Sequence, residues 1–145
     1  MQKKVSALIA VRSGSVRVKN KNIRTFNDST LLELKIKQLQ SVKEINDVVV
    51  NSNSDEMLSI AKNLGAKTVK RDDYYASNTI SMSSVFEHMA KNMDCENILY
   101  ANCTNPLVST NSYSDAIRIF LNNTSAYDSL VSCHDIKEFL YLDGK

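Results

Sequence analysis

Long apolar segments are absent from this sequence. A transmembrane helix needs roughly 20 consecutive, mostly apolar residues, and no run in these 145 residues approaches that length. Lysines do precede the apolar residues 5–11, as they would in a signal peptide, but that run is short and leads into Arg12 rather than a small-residue cleavage site. We therefore interpret it as a buried strand, and we expect a cytoplasmic protein without a membrane partner.

Cysteine is scarce, and its three positions lack the spacing of a metal site. Cys95, Cys103 and Cys133 are odd in number and form no CxxC motif. This pattern favours reduced thiols over a disulfide framework or a zinc site. No histidine is paired with Cys103, so we do not expect it to be a nucleophile. Asp72 and Asp73 could form a metal pair, but a solvated turn is the favoured interpretation, and we predict no metal site among these residues.

Acidic residues are missing from the start of the chain. Residues 1–27 contain seven lysines and arginines and no acid, whereas the remainder contains 11 bases and 16 acids. The formal net charge of +2 conceals this asymmetry. A local basic excess on a nearly neutral chain favours a small anionic ligand over a long nucleic acid, which usually needs a broad basic face. We expect no nucleic-acid partner.

The hydrophobic residues, 43% of the chain, recur in alternating strand and helix patterns. Thr30 and Ser54 are predicted to cap two helices, and Gly65 is predicted to end the second. Two further helices are predicted at residues 81–93 and 111–121. The predicted strands are residues 4–11, 47–51, 67–70, 97–101, 128–133 and 139–142. This alternation predicts a single α/β domain, a three-layer α/β/α arrangement with a mostly parallel sheet.

Ligands of such sheets bind beyond the carboxyl ends of the strands. The loops at residues 12–29, 51–55 and 102–107 are therefore predicted to share one binding rim. In the first of these loops, Gly14 allows the backbone to approach a ligand, and neighbouring amides can form an anion-binding nest. The same loop supplies the cations and hydroxyls that a triphosphate needs, namely Arg12, Ser13, Ser15, Arg17, Lys19 and Lys21. Walker and GxGxxG spacings are absent, and a solvated basic loop is the alternative interpretation.

This loop lies in the segment ALIAVRSGSVRVKNKN, which resembles the opening of the acylneuraminate cytidylyltransferases, with its approximate pattern I-P-A-R-x-G-S-K-R-x-x-x-K-N. Three later segments resemble the same family in collinear order, namely DVVVNSNSDEMLSIAKNLGAKTVKRDD, ILYANCTNPLVST and YDSLVSCHD. The resemblance covers nearly the whole chain. It implies a nucleotide-diphospho-sugar transferase fold of the Rossmann-like type, with residues 1–145 as a single nucleotide-binding domain that lacks the family's C-terminal part.

The resemblance also implies an activity. The family forms CMP-activated acidic sugars, such as sialic acid or related 2-keto sugar acids, from CTP and releases pyrophosphate with the help of Mg²⁺. This implies a role in cell-surface polysaccharide biosynthesis. The family's magnesium-binding aspartates and dimerisation segment would lie beyond Lys145, so the chain looks truncated and a homodimer is expected only of a full-length form. The alternative is a truncated or degenerate homologue that binds nucleotide or a partner without catalysis.

The resemblance assigns roles to particular residues. Arg12 and Lys21 are expected to contact the phosphates as catalytic residues, and Asn22 to contact the base or the ribose. The full nucleotide-binding set is expected to be Arg12, Ser13, Gly14, Ser15, Arg17, Lys21 and Asn22. The sugar is expected to be bound by Arg71, Asn102 and Ser81 or a neighbour of Ser81 in residues 78–84.

The chain departs from the family pattern at several positions. Val16 replaces a lysine that contacts phosphate, Asn53 replaces a common aspartate, and Asn102 is one methylene shorter than the family's glutamine. Tyr74 and Tyr75 could line a sugar pocket by stacking, with plain loop packing as the alternative.

Overall fold

The computed structural model of the chain describes residues 4–15 and 18–133. Its strands are β1 (Val5–Ala10), β2 (Thr25–Phe26), β3 (Ser29–Thr30), β4 (Asp47–Ser52), β5 (Lys67–Lys70) and β6 (Asn97–Tyr100). Its helices are α1 (Leu31–Gln40), α2 (Asp55–Asn63), α3 (Met82–Lys91) and α4 (Thr110–Asn122), and a 3₁₀ turn spans Asp73–Ala76. The four predicted helices and the first four predicted strands are confirmed.

Four strands form a parallel sheet in the order β5-β4-β1-β6. β1 is one of the two interior strands, and its Ala7 pairs with Val48 of β4 on one side and with Leu99 of β6 on the other. Residues 5–9 of β1 are all buried, as expected of a strand covered on both faces. Because the four strands run in one direction, their C-terminal ends lie along one edge of the sheet, which we call the carboxyl rim.

Helices cover both faces of this sheet, which confirms the predicted three-layer α/β/α arrangement. Successive side chains of β1 point to opposite faces. Val5, Ala7 and Ile9 belong to the larger core, which also contains buried residues of α1, α2 and α4. Leu8 packs on the other side against Val85 and Met89 of α3. None of the helices that the structure describes combines the length and the apolarity that a bilayer crossing needs.

The predicted helix boundaries rest on local hydrogen bonds that the structure shows directly. Thr30 caps α1 in a capping box: its hydroxyl accepts from the Glu33 N–H (3.2 Å), and the Glu33 carboxylate accepts from the Thr30 N–H (2.9 Å). The Ser54 hydroxyl caps α2 by accepting from the Met57 N–H. Gly65 follows α2 at φ +76°, the left-handed conformation that ends many helices.

The prediction of a strand at residues 128–133 is wrong. These residues pair with none of the described strands, and Leu130 and Val131 are exposed. Apolar and β-branched side chains favour a strand only where a neighbouring strand supplies hydrogen bonds and packing, and residues 128–133 meet no such strand in the described part of the chain. The strand predicted at residues 139–142 lies outside the described residues.

The long loop at residues 12–29 contains a short hairpin that the sequence analysis does not predict. Thr25 of β2 pairs with Thr30 of β3 in an antiparallel ladder, and Asn27 turns the chain with a φ of +54°. The Asn27-Asp28 dipeptide is the local signal, because both residue types favour turns. The hairpin leads directly into α1 and so fixes where the loop ends.

The buried face of α1 is not entirely apolar. Leu32, Ile36 and Leu39 are fully buried, whereas Leu31 and Leu34 are only half-buried. The position between Leu32 and Ile36 on the buried face is taken by Lys35, with an exposed fraction of 1%. The periodicity of apolar residues alone cannot indicate that a lysine lies on the core face.

Lys35 is held by neutral oxygens. Its Nζ donates to Gln38 Oε1 (2.5 Å), to the Asn105 carbonyl (2.8 Å) and to the Tyr113 hydroxyl (2.8 Å). Burial lowers the pKa of Lys35, because it disfavours the charged form. Gln38 reaches the same loop by donating to the Val108 carbonyl. Helix α1 thereby anchors the loop between β6 and α4, which begins at the carboxyl rim.

We expect Lys35→Ala to lower the free energy of unfolding by about 2–4 kcal/mol. The substitution removes a buried side chain and leaves the Asn105 carbonyl and the Tyr113 hydroxyl without this donor. The matched control is Lys37→Ala, at an exposed position of the same helix, which should change that free energy by no more than about 0.5 kcal/mol. Urea unfolding measures both, and equal effects of the two substitutions would contradict the anchoring role.

Candidate functional site

A cavity of about 900 Å³ lies at the carboxyl rim, beyond the ends of β1, β5 and β6. Small-molecule sites commonly occupy roughly 300–1,000 Å³. The described residues that line it include the cations Arg12, Lys21 and Arg71 and no carboxylate. A concave surface with this charge balance suits an anionic ligand.

The structure brings most of the predicted site residues to this cavity. Its lining includes Arg12, Ser15, Lys21, Asn22, Arg71 and Asn102. These residues come from three separate segments of the chain, and they meet because the strands before them end at the same rim. The binding roles assigned to them by resemblance stay predictions.

Three of the other predicted residues lie outside the cavity lining. Ser13 and Gly14 are exposed and do not belong to the lining, although they lie between Arg12 and Ser15, which do. Ser81 caps α3, where its hydroxyl accepts from the Ser84 N–H (3.2 Å), and it does not belong to the lining, whereas its neighbours Asn78, Ile80 and Met82 do. Arg17 lies outside the described residues.

The loop after β1 is shaped by two positions with positive φ. Gly14 has a φ of +80°, a conformation that favours glycine, and Asn20 has a φ of +53°. The Asn20 carbonyl accepts from the N–H groups of Ile23 and Arg24, which closes a turn around Lys21 and Asn22. Asn22 is buried within this turn, with an exposed fraction of 8%. The turn places the Lys21 and Asn22 side chains at the cavity wall.

Arg12 joins the loop after β1 to residues 72–80, which we call the turn segment. Its Nη1 donates to the Ala76 carbonyl (2.5 Å) and its Nη2 donates to Asn78 Oδ1 (2.6 Å). Both acceptors are neutral, so these bonds orient the guanidinium without neutralising its charge. Arg12 is half-buried and lines the cavity, where its charge is available to a ligand.

Arg71, which follows β5, is a buried guanidinium with an exposed fraction of 5%. Its Nε donates to Asn51 Oδ1 (2.6 Å), and its Nη2 donates to the carbonyls of Asn51 (2.8 Å) and Val11 (3.1 Å). Burial lowers the pKa of Arg71, the nearby Tyr100 opposes this effect, and the charge of Arg12 adds to it. Among the described residues, Nη1 has no acceptor and the guanidinium has no carboxylate partner. A ligand with negatively charged oxygens would supply both an acceptor for Nη1 and a charged partner for the guanidinium.

The loop after β6 contributes Asn102, Cys103 and Thr104 to the cavity. Burial raises the pKa of the Cys103 thiol to about 12, although the charges of Lys35 and Lys21 oppose this effect. The thiolate is the nucleophilic form of cysteine, so Cys103 stays a protonated thiol at neutral pH. This agrees with the prediction that Cys103 is not a nucleophile.

Some residues of the cavity lining are not predicted as site residues from the sequence. Val85 and Met89, which pack against Leu8 from α3, also form part of the cavity wall, as does Tyr100 at the end of β6. Position at the last residue of a rim strand is the signal that could have identified Tyr100. Tyr75, one of two tyrosines considered as pocket residues, does line the cavity and stacks on His88 with ring centroids 3.9 Å apart.

The described residues do not by themselves fit a magnesium site. Mg²⁺ prefers carboxylate, phosphate and water oxygens in octahedral geometry. No group of three or more His, Cys, Asp or Glu side chains is clustered for metal binding anywhere in residues 4–15 and 18–133. Asp73 accepts a hydrogen bond from Asn53 Nδ2 (2.9 Å), and Asp72 caps the 3₁₀ turn. The participation of Mg²⁺ stays a prediction of the resemblance.

Comparison with known proteins gives consistent matches. The family model described as "Cytidylyltransferase" matches residues 6–141. The pseudaminic acid cytidylyltransferase of Campylobacter jejuni is 28% identical over 126 residues, which is 83% of this chain and 54% of that protein. The N-acylneuraminate cytidylyltransferase of Escherichia coli is 26% identical over 133 residues, which is 91% of this chain and 32% of that protein. The chain therefore spans about half the length of the first relative and a third of the second.

A solved structure shows the same fold. The CMP:2-keto-3-deoxy-manno-octonic acid synthetase, determined as a complex with CTP, superimposes with a TM-score of 0.73 over 84% of this chain and 49% of that chain. The sequence identity is 11%, so this likeness concerns the fold alone. It confirms the predicted Rossmann-like nucleotidyltransferase architecture.

We expect the three cysteines to react with iodoacetamide at neutral pH in an order set by burial and thiol pKa. Cys133 is exposed and Cys95 is partly buried, so Cys133 should be alkylated first, whereas Cys103, buried and with its raised pKa, should be last. Mass spectrometry of peptides at successive times gives the order. The same reaction in urea, which removes the burial, should bring the three rates together. A folded protein whose Cys103 reacts as fast as Cys133 would contradict the protonated, buried thiol.

Proposed function

The chain belongs to the cytidylyltransferase family, and we propose that it supplies the nucleotide-binding part of an enzyme that activates an acidic sugar with CTP. The observation that carries the proposal is the cavity at the carboxyl rim, which contains Arg12, Lys21 and Arg71 without a carboxylate among its described lining residues. A nucleoside triphosphate and an acidic sugar are both anions, and their reaction requires that mutual repulsion be offset.

The proposed reaction transfers a nucleotidyl group. A hydroxyl oxygen of the sugar attacks the α-phosphorus of CTP and gives its proton to water. The bond from that phosphorus to the bridging oxygen of the β-phosphate breaks, and pyrophosphate leaves. Negative charge grows on the leaving pyrophosphate. Cations positioned at that group stabilise the transition state more than the ground state. We assign this role to Arg12 and Lys21, with the amides of Gly14 and Ser15 as further donors and Asn22 at the base or the ribose.

The sugar class follows from the relatives' names and from Arg71. One relative is named for pseudaminic acid and another for N-acylneuraminate, and we propose that this chain takes an acid of the same class. Arg71 is held by three hydrogen bonds to neutral oxygens, and a sugar carboxylate would be the charged partner that the described residues do not supply. A carbonyl of the nucleotide base could accept from the same N–H groups. Binding of CTP to an Arg71→Met variant without the sugar separates the two assignments. Weaker CTP binding indicates a contact to the base, and unchanged CTP binding is expected of a contact to the sugar carboxylate. Asn102, exposed at the rim, is the second proposed sugar contact.

Binding without catalysis is the second candidate function. The absence of a carboxylate among the described lining residues favours it, because a catalytic magnesium ion needs oxygen ligands from some source. The two candidates share the nucleotide site and differ only in the chemical step. Magnesium dependence, dimerisation and a cytoplasmic location stay predictions.

We expect isothermal titration calorimetry to show that the chain binds CTP at least about tenfold more tightly than ATP. A site that hydrogen-bonds one base edge rejects another base, because its buried polar groups are then left unpaired. Lys21→Met should weaken CTP binding about tenfold by removing a charge-assisted contact to phosphate. Lys62→Met is the control: Lys62 is exposed in the last turn of α2, and its loss should change the CTP dissociation constant by less than about twofold.

A pyrophosphate assay then separates the two candidates. With Mg²⁺, CTP and a panel of 2-keto sugar acids, release of pyrophosphate with at least one acid supports the transferase. CTP binding without release from any acid supports the binding-only homologue. Equal binding of CTP and ATP, or binding of neither, overturns both.

A further inference from the structure

We propose that Asn53 is a positioning residue that holds the loop after β1 in its ligand-binding conformation, and that Asp73 requires this residue to be an amide. This inference rests on the proposed function, because it concerns the backbone assigned to the triphosphate. Asn53 lies at the carboxyl rim, directly after β4. The next residue, Ser54, caps α2. It is not in the cavity lining, so any effect on binding acts through its neighbours.

The Asn53 side chain uses both of its functional atoms. Its Oδ1 accepts from the Ser13 N–H (3.1 Å). Its Nδ2 donates to the Ser13 hydroxyl oxygen (2.9 Å) and to Asp73 Oδ1 (2.9 Å). One amide therefore joins the loop after β1 to the turn segment, and only a side chain that both accepts and donates can make all three bonds.

Asn53 is itself held in place from behind. Its carbonyl accepts from Lys70 Nζ (2.9 Å), and the same ammonium group pairs with Asp55 Oδ1 (2.6 Å). The backbone of Asn53 is thus fixed to β5 and α2 while its side chain reaches forward to Ser13. A fixed base of this kind makes the side chain a support for the neighbouring loop.

The bonds of Asn53 and of Arg12 act on the same two segments. Arg12 ties the loop to the turn segment through Ala76 and Asn78, and Asn53 ties the next residue, Ser13, to Asp73 of the same segment. Two consecutive loop residues are therefore held by separate contacts, immediately before Gly14. Glycine itself restricts the backbone little. Because the two residues before Gly14 are held, the backbone N–H groups of Gly14 and Ser15 can keep one arrangement for binding phosphate.

The identity of residue 53 follows from the charge opposite it. The acylneuraminate family pattern commonly has an aspartate at this position. An aspartate at position 53 would place a second carboxylate opposite Asp73. Two carboxylates at hydrogen-bond distance repel each other unless they share a proton. With Asp73 present, asparagine is the residue that keeps the bridge. If position 53 becomes aspartate and position 73 becomes asparagine, the pair again consists of one amide donor and one carboxylate acceptor, and the bridge is restored.

The test is CTP and CMP binding by calorimetry to four proteins: the unaltered chain, Asn53→Asp, Asn53→Asp combined with Asp73→Asn, and Asn63→Asp. Asn53→Asp should weaken CTP binding about tenfold and weaken CMP binding less, because CMP lacks the β- and γ-phosphates. The double variant should recover CTP binding to within about threefold of the unaltered chain. Asn63→Asp adds the same charge at an exposed position at the end of α2 and should change CTP binding by less than about twofold.

The outcomes separate this inference from the function on which it rests. If the unaltered chain binds neither nucleotide, the proposed function fails. If it binds CTP and Asn53→Asp binds CTP equally well, or the double variant stays as weak as the single one, the positioning role is overturned while the proposed function stands. Thermal unfolding of each variant verifies the fold, and a variant that is folded but loses CTP and CMP binding equally also contradicts a role specific to the phosphate loop.

Discussion

The candidate site depends on the parallel register of β1, β4, β5 and β6. Parallel pairing brings the C-terminal end of each strand to one rim, so segments far apart in sequence become neighbours there. Arg12 and Ala76 are separated by 64 positions along the chain and are joined by a hydrogen bond. The burial of β1 between two layers of helices fixes this arrangement, because a shift of one residue would exchange its two sets of core side chains.

The electrostatics of the cavity follow from how its cations are held. Arg12 and Arg71 are oriented by carbonyl and amide oxygens, which satisfy N–H groups but leave the net charge in place. Burial lowers the pKa of Arg71, and the charge of Arg12 lowers it further, so the free cavity carries a cost from burial and from like-charge repulsion. An anionic ligand offsets both contributions. The arrangement therefore favours an anionic ligand over a neutral one.

Local physical chemistry accounts for what the sequence predicts well. The capping box of Thr30 and Glu33, the Ser54 cap and the left-handed Gly65 involve neighbours within a few residues, so their patterns are visible before the fold is known. The run of apolar residues in β1 likewise indicates a strand covered on both faces. The family resemblance adds the rim residues Arg12, Lys21 and Arg71, whose placement in one cavity the structure then shows.

The features that could not be predicted from the sequence depend on partners that are far apart along the chain. Lys35 is buried because a carbonyl and a hydroxyl from a loop and helix about 70–80 positions away receive its ammonium group, and no pattern within α1 contains that information. The bridge from Asn53 to Ser13 and Asp73 joins three loops. Residues 128–133 show the opposite case, since their composition favours a strand but they meet no partner strand among the described residues. The resemblance assigns a sugar contact to Ser81 or a neighbour in residues 78–84, and the structure places Ser81 at the start of α3, outside the cavity lining.

Hydrogen–deuterium exchange of the chain with and without CTP tests most directly whether the rim cavity is the nucleotide site. We expect CTP to slow exchange at the amides of residues 12–15, in the turn segment and in residues 102–104, and to leave the exposed face of α2 unchanged. Protection of α2 or of the hairpin formed by β2 and β3, without protection at the rim, would contradict the proposed site.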